Sequence, residues 1–155
     1  MRTKLVLAAS ALAASALAYS HWHHATADQR DLLIDRNWID RMPETQRDKL
    51  HVYRFVPTMG GGVFQDRTLF KGTFELFRFK VESGDHIAFD LPETRERVTS
   101  DYKIERVDQP PFDLKLTISP DPRGPGVYYG WRDESDRDGH LLEQELSATA
   151  AAPAR

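Results

Sequence analysis

The stretch Glu134-Ser135-Asp136-Arg137-Asp138-Gly139-His140-Leu141-Leu142-Glu143-Gln144-Glu145 has the residue types and spacing of a calcium loop. It offers side-chain oxygens at its first, third and fifth positions, a glycine at the sixth and a glutamate at the twelfth. Calcium takes about six to eight hard oxygens, the glycine makes the sharp turn, and the final glutamate binds through both oxygens. Two features weigh against that reading. The first position is Glu where Asp is usual, and the preceding Val127–Trp131 reads as a strand instead of an entering helix. The competing reading is a solvated acidic loop.

A second cluster is His21, His23 and His24. If the mature chain begins at Tyr19, its free amine, two backbone nitrogens and the imidazole of His21 give the square-planar nitrogen set that Cu(II) favours. A cut after Ala27 would discard all three imidazoles.

Enzymatic signals are weaker. Asp85-His86 and His51 could be polarised imidazoles, but no nucleophile is placed beside them. The chain has no Gly-x-Ser-x-Gly and no His-Glu-x-x-His, and no Lys-Ser/Thr follows Gly60-Gly61-Gly62. With 24 acidic residues, some pair will meet by chance, so a glycosidase dyad is not readable from spacing. Absence of cysteine removes thiolate zinc sites, iron–sulfur clusters, c-type haem attachment and Cys nucleophiles. No catalytic residue, metal site or cofactor is therefore assigned, and a small hydrolase is the least favoured reading. The formal net charge of −3 argues against a nucleic-acid partner, which would need a basic stripe for phosphates. Arg36, Arg41, Arg47 and Arg54 are expected on a wet face.

The elements that would position these residues are strands. Period-two runs bounded by turn residues occur at Asn37–Met42, His51–Val56, Val63–Arg67, Lys71–Glu82, His86–Leu91, Arg97–Val107, Asp113–Ser119 and Val127–Trp131. Asp113–Ser119 alternates most cleanly, with Leu114, Leu116 and Ile118 on one face. In Lys71–Glu82, Phe77, Phe79 and Val81 share a face while Phe74 and Leu76 have the opposite parity, which predicts a bulge near Leu76–Phe77. Thr58–Gly62 reads as a loop. The rigid Ser119–Gly126 segment, bearing Arg123, reads as a fixed turn before a recognition loop. Connections this short force antiparallel neighbours. The fold class is therefore all-β, an antiparallel up-and-down barrel of about eight strands, with a β-sandwich as the alternative. His140–Leu146 has the spacing of a short C-terminal helix.

One barrel domain, 36–146, fits the length of 155 residues. Met1–Lys4 is basic, Leu5–Ala18 is an uncharged apolar run, and Ala16-Leu17-Ala18 matches a small-x-small cleavage pattern. Residues 1–18 thus read as a signal peptide, too short for a transmembrane anchor of ~20 residues. Export to the periplasm or beyond is expected. Residues 19–35 read as a flexible leader, in which Asp28 to about Asp35, with Leu32, Leu33 and Ile34, reads as one helical turn or a lead-in, and 147–155 as a disordered Ala-rich tail.

Trp38 in the first strand, the eight-strand meander and the export signal resemble the lipocalin-like small barrels. Asn37-Trp38-Ile39-Asp40-Arg41-Met42-Pro43, Gly72-Thr73-Phe74-Glu75-Leu76-Phe77 and Pro122-Arg123-Gly124-Pro125 are similar to stretches of uncharacterised exported proteins of myxobacterial type. The resemblance spans about Arg36 to Trp131, with Arg36-Asn37-Trp38 where such barrels usually carry Gly-x-Trp. It implies a noncatalytic barrel that holds a small apolar molecule or serves as a binding scaffold. The inward candidates are Phe55, Phe77, Phe79, Phe89 and Phe112. An eight-stranded barrel is just wide enough to hold one small ligand or be filled by side chains, so these rings either line a pocket or plug it.

Overall fold

The structure, a computed structural model, describes residues 29–131 and 140–151. Eight antiparallel strands follow one another around a closed barrel. They are β1 (Asn37–Ile39), β2 (Leu50–Val56), β3 (Gly61–Arg67), β4 (Gly72–Ser83), β5 (His86–Leu91), β6 (Glu96–Gln109), β7 (Phe112–Ser119) and β8 (Val127–Gly130). Ile39 pairs with Tyr129 to join the first strand to the last. Closure removes the two sheet edges that an open meander would expose.

Alternation explains most of the interior. Ile87, Phe89 and Leu91 of β5 and Leu114, Leu116 and Ile118 of β7 are buried on the inner face. The strands meet at two ends. The β2–β3, β4–β5 and β6–β7 turns gather at one, with the lead-in to β1. The β3–β4, β5–β6 and β7–β8 connections gather at the other.

The lead-in is built into the barrel. Residues 29–33 are helical and Leu33 is fully buried against the inner cluster. Trp38 Nε1 donates to the Leu33 carbonyl at 3.0 Å, and the Asp35 N–H donates to the Phe55 carbonyl at 2.8 Å. The Gln29 amide bonds both backbone groups of Ile104, at 3.0 and 2.8 Å. Residues 29–35, expected as a helical turn or lead-in within a flexible leader, thus plug one end because Leu33 and the indole N–H need them there.

The C-terminal helix, α1 (His140–Ala151), runs past Leu146 into the segment expected to be disordered. Alanine is the best helix former. Leu142 and Leu146 pack on the outer side of the barrel against Ile39, Leu50 and Val52. Two hydrophobic layers result, one inside the barrel and one beneath the helix.

Three further expectations change. The bulge expected near Leu76–Phe77 is absent, for Val63–Leu76 and Gly62–Phe77 pair in unbroken register, and the irregularity falls at Val81/Ser83. Gly61 and Gly62 belong to β3 and leave only Gly60 of the glycine run in the turn. A Cβ at Gly62 would collide with the Phe77 ring, so the missing side chain makes room for that ring. Arg36 is buried, not on a wet face, and Nη1 donates to the Trp131 carbonyl at 2.8 Å.

Candidate functional site

Phe55, Phe77 and Phe89 converge at mid-barrel with Tyr53, Phe64 and Tyr128, and Phe79 packs at their side. Neighbouring ring centroids are 4.7 to 6.2 Å apart in tilted, stacked and edge-on arrangements. Those are the separations of rings in direct contact. The rings occupy the barrel's centre themselves. Phe112 does not join them. It stacks on Tyr129 at 5.5 Å and meets Trp131 at 5.1 Å in the layer beneath α1. It is the first residue of β7, at the point where pairing with β6 slips between Arg106 and Gln109, and its ring joins Tyr129 and Trp131 although its spacing matches the inward Leu114. A groove of about 430 Å³ touches Phe79 and Phe89, but it opens to solvent among Arg78, Lys80, Asp90 and Arg97.

Polar chemistry gathers at the other end, beneath the loop from Ser119 to Gly126. Asp121 is its hub. Oδ1 accepts from the Tyr53 hydroxyl at 3.0 Å and from the N–H groups of Arg123 and Gly124, both at 2.9 Å. Oδ2 accepts from the Tyr128 hydroxyl at 2.6 Å and the Gly126 N–H at 2.9 Å. One carboxylate therefore satisfies two buried phenols and pins the loop's backbone. Burial first, then the Asp121 carboxylate, push the Tyr53 and Tyr128 hydroxyls far above their ordinary range. Neither can serve as a base, since both stay protonated.

Arg123 spans this end. Nε lies 2.6 Å from Glu75 Oε2 on β4, an ionic contact off the line of the N–H bond, and Nη2 donates to Thr94 Oγ1 at 3.2 Å. Nη1 is 3.7 Å from Glu96. Ser100 Oγ donates to the Pro120 carbonyl at 2.6 Å, fixing the loop to β6 as well. The segment reads as a tethered cap over the barrel.

His51 and His86 each lie beside a carboxylate. His51 Nδ1 is 3.0 Å from Asp40 Oδ2, and the His51 N–H donates to Asp40 Oδ1 at 2.7 Å. Its ring stacks on Phe64 at 5.7 Å, so the pair joins the β1–β2 connection to β2. Asp40 was not singled out by the sequence; it follows directly on β1. His86 Nδ1 lies 2.7 Å from Asp85 Oδ1 on the surface, and Nε2 lies 3.2 Å from Asp101. The hydrogen bond that His86 donates to Asp85, then the Asp85 charge, raise the His86 pKa above 6.5.

Residues 134–139 of the expected calcium loop, and His21, His23 and His24, lie outside the described residues. Glu143 pairs with Arg67 at 2.7 Å, holding α1 to the end of β3. Tyr53, Asp121 and Tyr128 were missed as a unit because Tyr53 lies 68 residues from Asp121, although Tyr128 is only 7 away. The signal available was Asp121-Pro122-Arg123-Gly124, where an aspartate opens a tight turn.

Comparison with models of known protein families, with curated proteins and with solved structures finds no match in any of the three.

Proposed function

We propose that this chain is an exported, noncatalytic β-barrel that serves as a binding scaffold through its outer surface and its ends, not as a hollow carrier. The observation that carries the reading is the aromatic packing at mid-barrel, with Tyr53, Phe55 and Phe89 each almost wholly buried among other rings. A carrier of an apolar molecule needs a concave apolar space that takes up most of the ligand's surface. Here protein side chains hold those positions. The lead-in and the Asp121 loop close the two ends, which leaves the outside for recognition. The lipocalin-like resemblance and the basic, apolar, small-x-small N-terminus support the exported-scaffold part of the reading.

The test is native mass spectrometry of the mature protein recovered from cells that secrete it. The expected spectrum is a bare polypeptide beginning at Tyr19 or Asp28. A stoichiometric lipid-sized adduct, released on activation, would replace the scaffold with a carrier. Recovery of the full-length chain from the cytosol alone would remove export.

A further inference from the structure

β4 is longer than its neighbour on one side. It pairs with β3 along Gly72–Phe77, whereas its pairing with β5 begins only at Arg78. Among the described residues, the β5-facing edge of β4 over Gly72–Phe77 has no strand beside it. The outward positions there are apolar: Phe74 is 69% exposed and Leu76 is 55% exposed, and Phe70 in the adjoining turn is 69% exposed. Natural sheets blunt a free edge with proline, lysine, a bulge or an inward-pointing charge. Gly72–Phe77 has no proline, lysine or bulge, and its one charge, Glu75, is engaged by Arg123.

We propose that this edge pairs antiparallel with the same edge of a second copy, across a two-fold axis at Phe74. An isologous contact needs a self-complementary surface. In an antiparallel pair, opposed residues share a face, so outward positions must meet outward positions. Centring on Phe74 sets the two Phe74 rings side by side, Gly72 opposite Leu76, and Thr73 opposite Glu75. Pairing between the copies stops short of Arg78, because Asp90 of β5 already holds the place beside it. The register centred one residue later covers as much of the free edge but opposes the two Glu75 carboxylates, and like charges in that position are destabilising. Charge thus selects the Phe74 register. The contact would join two barrels edge to edge and bury the apolar surface that each leaves open.

The chain has no cysteine, so a single substitution introduces the only thiol. Across the proposed axis the two Cα atoms at position 74 are about 4.5–5.5 Å apart, within disulfide range. The two copies of position 78 are roughly 27 Å apart, eight residues at ~3.4 Å each. Under a mild oxidant, Phe74→Cys should give covalent dimers and Arg78→Cys should stay monomeric. Sedimentation of the unmodified protein should show a concentration-dependent dimer that Phe74→Glu abolishes. Residue 74 is on the surface, so neither change touches the core, and circular dichroism checks the fold. A monomer at every concentration, a dimer that survives Phe74→Glu, equal cross-linking at both positions, or a dimer without the Phe74→Cys cross-link overturns the proposal.

Discussion

Asp121 holds more of this molecule together than any other side chain at the capped end. It accepts hydrogen bonds from two phenol hydroxyls and three backbone N–H groups, drawn from β2, β8 and its own loop. Removing it leaves two buried hydroxyls without an acceptor, and hydrogen bonds to charged groups are worth about 1.5–3 kcal/mol each. Asp121→Ala should therefore lower stability by ~3 kcal/mol in chemical denaturation. A loss below ~0.5 kcal/mol, the size of an ordinary surface change, would contradict the hub. His86 offers a pH test. Its folded pKa is raised above 6.5 by Asp85, so its contribution is fully present below 6.5 and disappears as pH rises through the raised value. NMR titration should place His86 above 6.5, and Asp85→Asn should bring it back down. A wild-type value at or under 6.5 would contradict the pair.

At the scale of elements, the lead-in and α1 are where reading and structure differ most. The strands were legible because one wet face and one dry face give a strict period of two, as in Asp113–Ser119. The lead-in was legible only as a helical turn, since Leu32, Leu33 and Ile34 in a row carry no period that distinguishes a plug from a tether. Phe74 and Leu76 misled because they are apolar at outward positions of an unbroken strand, so the bulge that would have turned them inward is absent. Leu50, Val52 and Ile39 lie on the outer face, and only the helix above them makes their burial intelligible. Leu33→Ala should cost about 2–5 kcal/mol, the usual range for a fully buried leucine. Thermal or urea unfolding measures it, and a neutral result would restore the flexible leader.

For the whole molecule, barrel closure and ring packing have a joint consequence. The five phenylalanines expected inside are divided between two layers. Phe55, Phe77, Phe79 and Phe89 join the inner cluster, and Phe112 lies under α1. The sequence leaves open whether such rings line a cavity or fill it, because residue type is the same in both cases and only their mutual distances decide. Those distances describe a filled barrel. A filled interior is also dense, so enlarging a ring there must displace its neighbours.

The most direct measurement is titration of the protein with cis-parinaric acid, a fluorescent fatty acid, alongside a Phe89→Trp variant whose larger ring would occupy any central space. The account predicts no saturable one-to-one binding to the unmodified barrel, and no difference made by Phe89→Trp beyond its effect on stability. Saturable stoichiometric binding that Phe89→Trp removes from a still-folded protein would show a hollow barrel and contradict it.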